Sequence, residues 1–233
     1  TPFTTTRCLE QIKIGAAYHN ANVVIIGTGS GLSYAELGPT HHSLEDIAIL
    51  RSIPGIRILT PSDPIELKAL LRETVNIDGP SYIRIGKKGE PNLHNESSDL
   101  GIGKAKLLVD GKDVLILAIG PIVSEAIKAV KEDTSNDKSV AIATMSSIKP
   151  LDKEFLKRMI RRNFSKWITV EEHGLVGGLG STILEWLSDN NLLDKINLKR
   201  LGVENKFIHN LGNQSYTRKI LGLDSEGIKK CIK

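Results

Sequence analysis

The chain predicts an α/β protein of two doubly wound domains with mainly parallel sheets, and three observations carry that prediction. Strand-like and helix-like apolar runs alternate from one end to the other, as helices covering a parallel sheet require. The alternation breaks once, at residues 88–103 (KGEPNLHNESSDLGIG), a polar, turn-rich stretch without apolar periodicity that reads as a linker. Only 4% of the 233 residues are aromatic while Ile, Leu and Val abound, a mixture suited to strands buried on both faces. The expected domains are residues 1–90 and 104–233.

In the first, RCLEQIKIGAAY precedes NVVIIG (22–27), a buried strand. Ser43 is placed to cap a helix whose Leu44, Ile47, Ala48 and Leu50 recur near the helical period, with Asp46 as the acid of a capping box. Ile53-Pro54-Gly55 stops this helix, and IRILT (56–60) is the next strand. In SDPIELKALLRETV, Asp63 stands at the cap, Pro64 in the first turn and Glu66 at the third position of a second helix. SYIRI (81–85) is the strand that follows. A doubly wound sheet normally has more than these three strands, and residue 1 is Thr rather than Met. The first domain is therefore expected to be incomplete at its N-terminal side.

The second domain restarts the pattern with the strand DVLILAIG, the helix VSEAIKAVK and the strand SVAIATM. A helix in PLDKEFLKRMIRR, capped by Asp152, leads to the strand KWITVEE and the helix GLGSTILEWLSD. NLKRLGV closes the sheet, and SYTRKILG and EGIKKCI supply terminal helices.

Composition excludes several function classes. The net charge of +4 is modest and the lysines are scattered, so no nucleic-acid footprint is present. No apolar run approaches the roughly 20 residues of a membrane span, and no signal-peptide pattern appears. Cys8 and Cys231 are too few and too isolated for a disulfide framework or a zinc site. A reducing, cytoplasmic setting is expected.

Two short stretches invite chemistry. GTGSG (27–31) has glycines at a strand end, but neither a dinucleotide fingerprint nor a Gly-Lys-Ser/Thr follows. A flexible loop lining a crevice is the better reading. GPTHHSLED (38–46) sets His41 and His42 behind a rigid Gly-Pro. His41 and Glu45 are four apart, but His41 precedes the helix and no third ligand follows, so no metal site is expected. Two readings of His41 remain: a polar helix entrance, or a functional imidazole at the C-terminal edge of a parallel sheet. Gly38 and Pro39 favour the second by fixing the backbone ahead of it. His42 is expected to be structural.

ELGPTHHSLEDIAILRSIPGIRILTPSDPIEL resembles the pyrimidine-binding domain of transketolase-type thiamine diphosphate enzymes. TVEEHGLVGGLGSTILEWL (169–187), SIKPLD and LGLDSEGI resemble the transketolase C-terminal domain. The 1-deoxy-xylulose-5-phosphate synthases and the beta subunits of 2-oxo-acid dehydrogenases share this two-domain half. The Thr-His after Gly-Pro and the VEEH favour the transketolase branch.

The resemblance implies an enzyme that moves a two-carbon ketol unit between sugars or sugar phosphates. Thiamine diphosphate and Mg2+ would sit between subunits and carry the hard chemistry. It makes His41 the histidine that faces the sugars, hydrogen-bonds their oxygens and assists proton transfer. Lys87 falls where the family often has a phosphate-binding arginine, keeping the charge but losing the bidentate fork. Phe3 lies where an aromatic stacks on the aminopyrimidine. Leu37 replaces an aspartate that binds a sugar hydroxyl, and Gly29 or Ser30 replaces a polar His or Arg; both departures remove substrate contacts. The glutamate that activates the cofactor belongs ahead of residues 22–27, where Glu10 is misplaced, and no Gly-Asp-Gly followed by Asn occurs. The chain alone is therefore expected neither to bind cofactor nor to turn over sugar. It should need a cofactor-binding N-terminal transketolase domain or subunit as partner, and form a homo-oligomer. Glu171, Glu172 and His173 read as structural or interfacial. The rival readings are a non-catalytic assembly or regulatory module of the same fold, and a subunit of the synthase or dehydrogenase type.

Overall fold

Strands that are apolar on both faces must be covered on both, and those at residues 81–85, 114–118 and 140–144 are. The strand at 24–28, expected to be buried, instead lies at a sheet edge with Ile26 41% exposed. The computed structural model describes residues 1–96, 98–132 and 137–233; residue 97 of the expected linker lies outside the described residues. α1 (Leu9–Gln11) runs on into a π-helical stretch, Ile12–Tyr18, that buries Ile12 and Ala16. Then come β1 (Val24–Thr28), α2 (Asp46–Arg51), β2 (Arg57–Leu59), α3 (Pro64–Thr74) and β3 (Ser81–Ile85). Beyond the polar stretch lie β4 (Lys106–Val109), β5 (Val114–Ala118), α4 (Val123–Lys131), β6 (Val140–Thr144) and β7 (Ser147–Lys149). α5 (Lys153–Arg161), β8 (Lys166–Gly174), α6 (Leu179–Asp189), β9 (Leu198–Val203), α7 (Gln214–Ile220) and α8 (Ser225–Ile232) complete the order.

The first sheet runs β1-β3-β2-β7. Its first three strands are parallel, and β7 is antiparallel to β2, with Ile58 opposite Lys149 and Leu59 opposite Ser147. The second runs β4-β6-β5-β8-β9, parallel except for β4 at its edge. The fold is thus α/β with two mainly parallel sheets. Neither β4 nor β7 is among the strands expected from sequence. β7 has a clear physical role: it lies in the second half of the chain yet pairs with the side of β2 not taken by β3. Residues 144–147 bridge the sheets, because Met145 N donates to Ala118 O (2.9 Å) and Thr60 N donates to Ser146 O (2.6 Å).

Two of the expected helix caps form and one does not. Asp63 accepts from Glu66 N (2.7 Å) with Pro64 in the first turn, and Asp152 accepts from Phe155 N (2.8 Å), each satisfying an amide the helix itself cannot. Ser43 does not cap α2, which begins at Asp46 with Glu45 before it and no side-chain cap. The Ser43 backbone is committed elsewhere: its N–H donates to Gly31 O (2.9 Å) and its carbonyl accepts from Arg84 (2.7 Å). Nor does Asp46 act as a capping acid. Its carboxylate accepts instead from Tyr82 Oη (2.6 Å) and Arg84 Nε (2.8 Å), all three buried.

The polar stretch is a fastened strap rather than a free linker. Leu93 N and His94 N both donate to Asp63 Oδ2 at 2.7 Å, and His94 is buried against it. The apolar core is continuous across the two halves. Ile47, Leu50 and Tyr82 pack in one cluster with Leu115, Phe155 and Trp167. Leu32, Ala35 and Leu44 pack with Ile116, Val170 and Ile228. Burying each such Leu or Ile stabilises by about 1.5–3 kcal/mol, so this contact locks the halves together.

Candidate functional site

β1 and β3 are parallel neighbours, so the segments leaving their C-terminal ends lie side by side, where α/β proteins bind ligands. The loop after β1 is lashed to the end of β3: Gly29 N donates to Gly86 O (3.1 Å) and Ser30 N to Ile85 O (2.9 Å). Glycine is required at position 29 twice over. Its φ is +75°, and a Cβ there would stand 2.3 Å from the Tyr34 ring, so Tyr34 occupies the space a side chain would need.

Tyr34 is the centre of the site. The Lys87 ammonium lies 4.5 Å from its ring centroid, and Lys87 Nζ is 3.7 Å from Glu36 Oε1. The His41 ring is 6.4 Å from the Tyr34 ring at 59°, and the Phe3 ring meets His41 edge-on at 5.1 Å. Phe3 is held there because the Thr1 amine and hydroxyl both donate to Thr28 O at 2.7 Å. The Arg7 guanidinium sits 4.4 Å from the Phe3 centroid. Phe3, His41 and Lys87, all singled out from sequence, are thus linked by successive contacts that pass through the Tyr34 ring. Leu37 is exposed nearby.

His41 is half-buried, and its Nδ1 lies 3.0 Å from Thr40 Oγ1. His41 N and His42 N both donate to Gly38 O, at 2.9 and 3.1 Å. His42 is buried, with Nε2 3.0 Å from Ala35 O, so it holds the turn that presents His41. Glu45 is turned to Leu44 N at 3.2 Å.

Tyr34 escaped the sequence reading because nothing in the periodicity marks a loop aromatic. Its only signals were its rarity and its place five residues after Gly29.

A buried polar network carries the loop from below. Leu32 N donates to Glu172 Oε1 (2.6 Å), and Glu172 is in turn held by Gln214 Nε2 (2.8 Å) and Arg218 Nε (2.7 Å). Arg84 donates to Ser43 O, Glu172 O and Asp46, tying β3, the loop and β8 together. Burial pushes the Asp46 carboxyl up, but Arg84, His173 and the Tyr82 hydroxyl outweigh it and hold the pKa below its ordinary value. Glu171 accepts from Leu179 N (2.6 Å) and Gly180 N (2.8 Å) at the start of α6. Burial raises its pKa to about 7 despite those bonds. His173 donates from Nδ1 to Gly174 O (2.8 Å) and accepts at Nε2 from Ala48 N (3.5 Å). Both ring nitrogens are thus used in the neutral form, and burial lowers its pKa to about 4. Glu171, Glu172 and His173 therefore join β8 to α6 and to the 31–48 segment, away from the exposed crevice.

Asp63, Glu66 and His94 bring carboxylate and imidazole atoms within 4.8 Å of one another. Asp63 is already committed to Glu66 N, Leu93 N, His94 N and His94 Nδ1 (3.1 Å). Glu66 accepts from Ser62 N (2.7 Å) and Ser62 Oγ (2.8 Å), and burial raises its pKa. This trio clamps the strap to α3.

Residues 2–90 match the family described as "Transketolase, pyrimidine binding domain", and residues 103–228 match "Transketolase, C-terminal domain". That pair, in that order, defines the class: the C-terminal, two-domain part of transketolase-type enzymes. An apulose-4-phosphate transketolase subunit of Phocaeicola vulgatus is 36% identical over 230 residues, covering 98% of this chain and 72% of that protein. A 6-deoxy-6-sulfo-D-fructose transketolase subunit of Clostridium sp. is 32% identical over 228 residues, 98% of this chain and 69% of that protein. A solved structure titled "Split gene transketolase, inactive beta4 tetramer" superposes with a TM-score of 0.84 at 28% identity, covering 99% of this chain and 71% of the other. The chain belongs to the transketolase family. No helix among the described residues is long and apolar enough to cross a membrane.

Proposed function

We propose that the chain works as the C-terminal subunit or portion of a transketolase that moves a two-carbon ketol unit between sugars. The observation that carries this is the set of successive contacts Phe3–His41, His41–Tyr34 and Tyr34–Lys87 near the C-terminal ends of β1 and β3. His41 is the catalytic residue. With Nδ1 anchored by Thr40, Nε2 is the atom that meets a substrate oxygen and holds or moves its proton as the carbon–carbon bond forms or breaks. Lys87 receives the anionic end of the substrate. The names of two relatives include a phosphate or a sulfo group, and both groups suit an ammonium.

Phe3 is 40% exposed, with Arg7 over its ring and His41 against it; the part of the ring left open would meet a flat pyrimidine. Thiamine diphosphate, bound with Mg2+, would supply the carbanion-stabilising chemistry. The chain has no Gly-Asp-Gly followed by Asn, so a cofactor-binding N-terminal domain or subunit completes the site as partner. On this reading the two domains are residues 1–90 and 104–233, the working assembly contains more than one copy of the chain, and the setting is cytoplasmic.

The test is reconstitution. The chain is mixed with its N-terminal partner, and ketol transfer is followed with sugar phosphates. His41→Ala should lower turnover by about 10²–10⁴-fold; an unchanged rate would return His41 to a turn-supporting role. Without the partner, titration with thiamine diphosphate and Mg2+ should give no saturable heat, and micromolar binding would overturn the division of labour.

A further inference from the structure

Gly29 and Tyr34 form a complementary pair: the space left by the missing side chain is filled by the ring. That ring holds the Lys87 ammonium at 4.5 Å, while Glu36 approaches the same ammonium at 3.7 Å. Lys87 and Glu36 are solvent-exposed and Tyr34 is half-buried, so both contacts are weak and of similar size. A lysine is a point charge on a flexible stem, without the rigid fork of arginine, so its position must come from its surroundings. Here a ring face supplies it. The His41 ring lies 6.4 Å from the same ring, tilted by 59°. One ring therefore neighbours both the imidazole and the cation.

We infer that Tyr34 is a positioning residue for Lys87, that Glu36 competes with the substrate for its ammonium, and that the two set the preference for sugars ending in an anionic group. This rests on the roles given above to His41 and Lys87. An anionic substrate displaces Glu36 while the ring keeps the ammonium in place. A neutral sugar gains nothing from either residue.

The experiment uses the reconstituted enzyme and one ketose, with and without a terminal phosphate. Tyr34→Leu should raise KM for the phosphorylated sugar about twofold to fivefold, the ordinary worth of an exposed cation–π contact. The rise in KM for the phosphorylated sugar should clearly exceed any change seen with the neutral sugar, which reports whatever the loss of the ring does to His41. Tyr34→Phe keeps the ring and should restore the wild-type KM, and Glu36→Gln should lower KM for the phosphorylated sugar alone. Equal effects on both sugars, or failure of Tyr34→Phe to rescue, would overturn the inference. If the wild-type enzyme turns over neither sugar, the functional reading fails first. Titration of the isolated chain with inorganic phosphate, followed through the Lys87 side-chain NMR signal, then decides separately. Tyr34→Leu should weaken binding about twofold to fivefold and Glu36→Gln should strengthen it; unchanged affinity in both variants would refute the inference.

Discussion

Replacing His173 with Asn should flatten the response of stability to acid. The His173 ring is fully buried, with Asp46 Oδ1 4.0 Å and Glu171 Oε2 3.9 Å away and Arg84 acting against a second positive charge. Its pKa falls from 6.5 to about 4 in the folded chain. Between those values the unfolded imidazole binds a proton and the folded one does not, so acidification favours unfolding. At about 1.4 kcal/mol per pH unit, the stability present above pH 6.5 declines by about 3 kcal/mol as pH approaches 4. Asn can still donate to Gly174 O but does not titrate. Urea unfolding of both proteins from about pH 7 to about pH 4 is the assay. The wild type should lose about 3 kcal/mol more than His173→Asn across that range. Parallel curves would refute the account, because they would mean that the buried ring accepts its proton as readily as an exposed one.

Two further outcomes use the same network and the same assay. Glu171, carried from 4.5 to about 7, keeps its proton when folded and loses it when unfolded, so its contribution to stability falls as pH rises between those values. Glu171→Gln should abolish that fall, about 3 kcal/mol in total, and unfolding curves with the wild-type slope over this range would count against it. Arg84→Met should cost about 3–5 kcal/mol, since it leaves the buried Asp46 carboxylate without its cation; a loss below about 1 kcal/mol, the worth of an exposed pair, would show the Arg84–Asp46 pair to be solvated.

Most of the architecture was legible in the sequence because it rests on local rules. SYIRI is a strand over its full length, and Asp63 and Asp152 cap the helices they precede. Ser43 failed as a cap because Gly31, twelve residues upstream, and Arg84 hold its backbone outside the helix, which begins only at Asp46. Asp46 was drawn sideways by Arg84 and Tyr82, residues a helix-period reading cannot see. β7 is three residues long, too short for any period to register, and it exists because β2 needs a partner. In the candidate site, the histidines announced themselves through Gly-Pro and Lys87 through the family pattern. Tyr34 and Glu36 did not, because what matters in them is spatial: a ring above a bare glycine and a carboxylate beside a lysine.

The strand exchange at β7 has a practical bearing on how this chain can be cut and recombined. Severing it in the polar stretch and grafting residues 1–90 onto a relative's second half would import a foreign Ser147–Lys149 segment as the outer strand of the native sheet. The Thr60–Ser146 bond, the Asp63 hold on Leu93 and His94, and the Lys149 ammonium on Arg51 O (3.1 Å) would all cross that seam. A chimera respecting the folding units would carry residues 146–150 with the first half, although more than fifty residues separate them in the chain. Inheritance of the first sheet thus travels in two separate pieces of sequence.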